Sequence, residues 1–259
     1  GKGEALAALW RDKQIEYTRL RSMCSMYKPF WEVTQDALIF SCKKLGLQLD
    51  FDAQNALMGQ YAKLQAFPEN LPVLQALQKM DVKLAILSNG NPQMLESAVK
   101  AAGMQGIFSH LLSVDAVKKF KTAPETYQLG PDIFGLPAKK ILFVSSNGWD
   151  VCGATWFGYT TFWVNRAAAP LEELGVNALA FVKAPNAGTN FGGRAERGPA
   201  EEAAAVAFHS HGLACIGAAF GNGRFKNPRV LTLQRTFFAC FESNRFHTGI
   251  VPPCEGLKL

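Results

Sequence analysis

Three short segments of this chain carry residue types able to do polar chemistry together. Leu87-Ser88-Asn89-Gly90 ends an apolar run and offers a hydroxyl and an amide. Lys121 stands just before Thr122-Ala-Pro124 and the segment that holds Tyr127. Val144-Ser-Ser-Asn-Gly-Trp-Asp150 ends a second apolar run with Ser145, Asn147 and Asp150. A lysine beside a strand-end carboxylate makes a charge pair that keeps both groups ionised and can position a water. Taken singly, each has a plainer reading. Ser88-Asn89 is a common turn, Lys121 one more basic residue beside Lys118 and Lys119, and Asn147 to Asp150 a helix cap. Trp149 and Phe30 fit a core as well as a pocket. The joint occurrence carries the weight.

These segments need elements to bring them together. The first third reads as helices: Glu4 to Tyr27, with Leu6, Leu9, Trp10, Ile15, Leu20 and Met23 near helical spacing, then Val33 to Leu45 and Asp52 to Leu64. Gly46 and Pro68 are their stops. A helix over Leu71 to Met80 leads into the apolar run Val82 to Leu87, followed by helix Met94 to Ala102 and strand His110 to Val114. Ile141 to Ser145, a helix from Asp150, and Thr160 to Val164 complete the alternation. Strands alternating with helices predict an α/β fold, a parallel sheet covered on both faces. In such sheets ligands sit at the carboxyl ends of strands, where the polar segments fall. The expected organisation is a helical cap subdomain over 1–67, a core over 68–180 and a tail of uncertain structure over 181–259. Within that tail only Glu201 to Phe208 suggests a helix, and no period is sustained.

Trp10-Arg-Asp-Lys-Gln-Ile-Glu-Tyr-Thr18, Leu84-Ala-Ile-Leu-Ser-Asn-Gly90, Ile141-Leu-Phe-Val-Ser-Ser-Asn-Gly-Trp-Asp150 and Phe157-Gly-Tyr-Thr-Thr-Phe-Trp-Val-Asn-Arg166 closely resemble motifs of the L-2-haloacid dehalogenases, within the haloacid dehalogenase superfamily. The resemblance runs from about Gly1 to Gly175, in order. It implies a Rossmann-type parallel sheet core with a helical cap, and a nucleophilic aspartate that attacks C2 of an L-2-haloacid. Halide leaves with inversion, and water hydrolyses the aspartyl ester to a D-2-hydroxy acid. Carried over by position, Arg11 would face the halide and the substrate carboxylate, with Ser88 and Asn89 anchoring that carboxylate. Lys121 would neutralise the nucleophile, supported by Tyr127 and Ser145. Asn147 and Asp150 would shape the site and assist hydrolysis. Ile15, Phe30 and Trp149 would form an apolar wall that excludes stray water. The resemblance also implies a homodimer and a small halogenated acid as substrate.

The superfamily's phosphatases resemble a Gly-Asp-x-x-x-Asp pattern whose acids help hold magnesium; here Ser146 replaces the first acid. A hydroxyl substitutes poorly for an anionic oxygen on a hard cation, so neither metal nor cofactor is expected. The family nucleophile lies in an opening Asp-x-Tyr-Gly-Thr motif on a central strand. The chain opens on Gly1, inside or just before the first cap helix, and shows no such motif later. The expectation is therefore a processed chain or a fragment, inactive as written and lacking the first core strand. A phosphatase and a non-catalytic carboxylate-binding fragment are the alternatives.

Composition narrows the remaining classes. With 259 residues, 48% hydrophobic and 19% charged, the chain reads as globular, with no apolar run able to span a bilayer and no leader. Six scattered cysteines favour reduced thiols and a cytoplasmic setting, and Cys152 reads as a small buried hydrophobe. The net charge of +6 leans on a tail whose basic residues are isolated, so no nucleic-acid partner is expected. His209-Ser-His211 with His247 lacks a convincing fourth ligand for zinc. Gly217 to Gly223 lacks the strand–turn–helix context of a dinucleotide loop.

Overall fold

In this computed structural model the described residues are 2–68, 70–165, 169–170, 172–176 and 230–233. The helix expected at Glu201 to Phe208, the His209/His211/His247 group and the Gly217 to Gly223 run lie outside them.

The chain opens with α1 (Gly3–Met23), whose buried face is Leu6, Ala7, Trp10, Gln14 and Thr18, at the three- and four-residue steps of one helical stripe. It stops short of the expected Tyr27: Ser25 takes a left-handed φ of 54°, and the Met26 N–H turns back to the Arg21 carbonyl. The second helix, α2 (Phe30–Leu45), starts earlier than its apolar period suggests because extended Pro29 sets its entry. Gly46 ends it in the left-handed conformation, φ 64°, as its position predicts. Asp50 caps α3 (Phe51–Met58) by accepting from the Ala53 N–H at 2.8 Å. Beyond Met58 the chain tightens into a 3₁₀ turn over Gly59–Lys63, so the single helix expected to Leu64 is split at Gly59.

Trp10, Phe30, Val33, Ala37, Leu38, Cys42, Met58 and Tyr61 fill the space between these helices. A polar seam crosses it. The Gln14 amide donates to the Thr34 hydroxyl and to the Tyr61 hydroxyl (3.3 Å), and the Trp10 indole N–H donates to the Thr34 carbonyl at 2.8 Å. These bonds fix the rotation of α1 against α2, and with it the direction in which Arg11 points.

After α4 (Asn70–Lys79) the chain alternates: β1 (Lys83–Ser88), α5 (Pro92–Ala101), β2 (His110–Ser113), α6 (Pro124–Phe134), β3 (Leu142–Ser145), α7 (Gly148–Phe157) and β4 (Thr160–Trp163). A fifth strand, β5 (Val230–Leu233), comes from the region where no period was legible. The sheet order is β2-β1-β5-β3-β4 and every neighbouring pair is parallel. β5 therefore fills the slot between β1 and β3, opposite Lys83 to Ile86 on one side and Leu142 to Val144 on the other. β3 is buried along its length and β1 from its second residue onward, as a sheet covered on both faces requires.

The hydroxyl of Thr34 is the acceptor at the centre of the polar seam. Thr34→Val keeps the shape but leaves the buried Gln14 amide with its long bond to Tyr61. We expect a loss of about 1–3 kcal/mol in urea unfolding, the cost of an underserved buried donor. A loss below a few tenths of a kcal/mol would count against the seam.

Candidate active site

The two apolar strands deliver their polar ends side by side. Ser88 is buried at the end of β1, its Oγ accepting from the Gly90 N–H at 3.0 Å. Asn89 follows, and its Oδ1 accepts from the main-chain N–H of Lys121 at 3.0 Å. This bond ties the loop before α6 to the end of β1. At the end of β3, buried Ser145 receives the Asn147 N–H on its Oγ at 3.1 Å, turning the chain into α7.

Lys121 is the centre of the arrangement. Only 1% of its surface is exposed, so the surface-lysine reading of its neighbourhood does not hold. The flanking basic residues are elsewhere: Lys119 donates to the Ser22 carbonyl, and Lys118 lies over the Tyr27 ring. The Lys121 Nζ donates to the Leu87 carbonyl at 2.9 Å, stands 3.6 Å from Asp150 Oδ1 and 4.9 Å from the centre of the Phe143 ring. The hydroxyl of fully buried Tyr127 donates to the same Oδ1 at 2.8 Å. Asp150 does not cap α7 with its side chain; it sits in the first turn and turns inward to this pair.

Burial dominates the electrostatics. It pulls the Lys121 ammonium down to about 7, with the attraction of Asp150 opposing the fall. It also pushes the Asp150 carboxyl above its usual range, against the attraction of Lys121 and the hydrogen bonds from Tyr127 and Ser145. The Tyr127 phenol is driven well up by burial and by the neighbouring carboxylate, so it stays a proton donor.

The cap closes the site from above. Arg11 and Ile15 stand one turn apart on α1, and Arg19 one turn further, on a single face. The Arg11 Nη2 donates to Asn147 Oδ1 at 3.0 Å, and the Arg19 guanidinium lies 5.3 Å from the centre of the Trp149 ring. Ile15 is half-buried between them. Phe30 is buried 6.1 Å from the Phe120 ring, the residue before Lys121. The buried polar atoms without a hydrogen-bond partner among the described residues include Asn147 Nδ2, Trp149 Nε1 and Asp150 Oδ2 at this site. Buried groups of this kind are rare and mark places where a ligand or water completes the set.

The structure thus brings Arg11, Lys121, Tyr127, Ser145, Asn147 and Asp150 into one connected set, with Ser88 and Asn89 at its edge and Phe30 and Trp149 on the cap side. It also shows residues that sequence reasoning passed over. Arg19 was legible as the third member of the Arg11–Ile15 step. Gly153 was not: a Cβ there would stand 2.6 Å from the Tyr127 hydroxyl and 2.8 Å from Thr122 Cγ2, so only glycine leaves room for the Tyr127–Asp150 bond. Among the described residues no group of three or more His, Cys, Asp or Glu side chains could hold a metal ion.

Comparisons with known proteins identify the family. A family model described as haloacid dehalogenase-like hydrolase matches residues 3–158. The chain is 46% identical over 175 residues to an (S)-2-haloacid dehalogenase of Pseudomonas sp. (strain YL), covering 68% of this chain and 75% of that protein. A crystal structure of an L-2-haloacid dehalogenase, 60% identical, superposes with a TM-score of 0.69 over 70% of this chain and 82% of its own. The L-2-haloacid dehalogenase of Xanthobacter autotrophicus, solved with chloropropionic acid covalently bound, is 40% identical with a TM-score of 0.60, covering 64% of this chain and 67% of that one.

The burial of Lys121 makes a signed prediction. Its folded value, about 7, lies below the ordinary 10.5, so between those limits the unfolded chain holds the proton that the folded chain has shed. Stability from this group therefore rises with pH across that window. Below it, the full penalty of burying the ammonium applies. Urea midpoints between about pH 7 and pH 9 should rise more steeply in the unaltered chain than in Lys121→Met. Equal slopes would contradict the burial.

Proposed function

The chain belongs to the haloacid dehalogenase-like hydrolase family, and we propose that it serves hydrolytic dehalogenation of short L-2-haloacids to D-2-hydroxy acids. The observation that carries this reading is the buried Lys121–Asp150 pair with Arg11 held over it by Asn147. One cationic group faces the cap side and one lies beneath, which suits a small anion whose halogen must leave as a second anion.

In this reading Arg11 receives the halide and the substrate carboxylate, assisted by Ser88 and Asn89. Ile15, Phe30 and Trp149 keep water from the reacting carbon. A carboxylate oxygen attacks C2 opposite the halogen; the C–O bond forms as the carbon–halogen bond breaks, and halide leaves with the electron pair. Lys121 balances the charge of that carboxylate. Asp150, bound to Lys121 and Tyr127, is committed to positioning, so the attacking aspartate is assigned to the Asp-x-Tyr-Gly-Thr motif that the resemblance implies. Water then cleaves the ester. One of its protons ends on the product hydroxyl and the other is released, a transfer suited to a lysine brought near neutrality. Asn147 Nδ2 and Asp150 Oδ2 are the unengaged atoms that would hold this water.

Phosphate-ester hydrolysis is the weaker reading. Magnesium would need an anionic oxygen where Ser146 stands, and Asp150 is already engaged by an ammonium and a phenol. The donor set does not suit that ion. The same proposal has the cap over 1–67 and the core over 68–180, and a homodimer in the cytoplasm. Among the described residues no helix is long and apolar enough to cross a membrane.

The test is chloride release from L- and D-2-chloropropionate with EDTA present. It is run on the 259-residue chain and on a version preceded by an Asp-x-Tyr-Gly-Thr strand and loop. We expect release from the L isomer in the extended form, undiminished by EDTA, and a loss of at least ~100-fold on Arg11→Ala, in the range for a group that stabilises developing charge. Two folded but silent proteins would overturn the assignment.

A further inference from the structure

One hydrogen bond behind the site reaches Tyr127 from Tyr159, a residue that no part of the proposed chemistry uses. The carbonyl of Tyr127, inside α6, would ordinarily accept from the N–H four residues on. That residue is Pro131, which has no N–H and whose ring crowds the very carbonyl it fails to serve. The Tyr159 hydroxyl, from the turn before β4, donates to the Tyr127 carbonyl at 2.6 Å. Both tyrosines are buried, and their rings meet edge to face at 6.3 Å, with Phe143 against both.

We infer that Tyr159 is a positioning residue for the buried Lys121–Asp150–Tyr127 cluster, replacing the donor that Pro131 removes and so holding the Tyr127 hydroxyl on Asp150. Tyr127 is then fixed at both ends, by Tyr159 at its main chain and by Asp150 at its hydroxyl. Gly153 leaves the space for the second contact. Pro131 loosens the helix where Tyr127 must be set, and Tyr159 sets it. The inference rests on the cluster being the reactive site, but neither measurement below reads turnover, so failure of the dehalogenase assignment would leave both interpretable.

The experiment is a double-mutant cycle on the full chain with Tyr159→Phe and Pro131→Ala. The second change restores a main-chain N–H, which can serve the Tyr127 carbonyl in place of the phenol. Tyr159→Phe should lower Tm by about 2–4 °C with Pro131 present and by less than half as much in the Pro131→Ala background. The second readout is the titration of Lys121, followed in chain labelled with ¹³C-lysine. The titratable groups that face the cluster are Asp150 against Lys121, Asp150, Cys152 and Tyr159 against Tyr127, and Asp132 and Asp150 against Tyr159. Tyr159→Phe should lower the Lys121 midpoint, because Asp150 loses part of the support that keeps it anionic, and Pro131→Ala should return it. Equal Tm losses in both backgrounds with an unmoved Lys121 midpoint would overturn the proposal and leave Tyr159 as packing alone.

Discussion

Placing an ammonium and a carboxylate together in a dry interior is expensive, by several kcal/mol for each ion, and is tolerated only where other groups share the charge. Lys121 and Asp150 are buried in this way, and much of the surrounding structure follows from keeping them served. The Leu87 carbonyl accepts a hydrogen bond from the ammonium, and the Tyr127 phenol donates one to the carboxylate. Asn89 holds the main chain at Lys121, so the amine enters from a fixed point. Each partner comes from a different element: β1, the loop before α6, α6 and α7. The pair can exist only when the whole core is assembled, which makes the site and the fold one cooperative unit.

The sheet sets the scale of that unit. β1 and β3 are not neighbours; β5 lies between them. Two strand spacings put their ends about 9–10 Å apart. No short polar side chain crosses that gap. A lysine can, reaching from beyond the strand ends to touch the Leu87 carbonyl on one side and the α7 carboxylate on the other. A phenylalanine on β3 lines its path at 4.9 Å, an arrangement favourable to a cation over a ring face. The middle strand therefore governs the site through distance, and through the two ladders it closes.

What was legible beforehand follows the same physics. Helical stripes such as Leu6–Trp10 and strand runs such as Leu84–Leu87 announce themselves because burial on one stripe or on two faces leaves a pattern. The strand ends Ser88-Asn89 and Ser145 to Asp150 were visible because polar residues interrupt those runs. The split of α3 at Gly59 and the early stop of α1 were not, because both depend on turn geometry over one or two residues. β5 was illegible for a different reason: four residues, Val-Leu-Thr-Leu, are too few to show a period, and so match a helix as readily as a strand. Gly153 and Tyr159 escaped because their roles are set by Tyr127, more than twenty residues away in the chain.

The cap belongs to this same constraint. Its first helix ends where the Ser22 hydroxyl accepts the Phe120 N–H at 2.8 Å, one residue before Lys121. Nearby, Tyr27 stacks on Phe120 at 5.0 Å and donates to Asp115, just beyond β2. At the other end of the shared face, Arg11 meets Asn147 at the start of α7. So α1 is pinned at two points: beside the lysine and beside the carboxylate. A shift of α1 that moved Arg11 off Asn147 would also strain the loop that delivers Lys121. The group over the site and the charge beneath it are consequently held in register by one helix, and the polar seam of Gln14, Thr34 and Tyr61 keeps that helix from rolling.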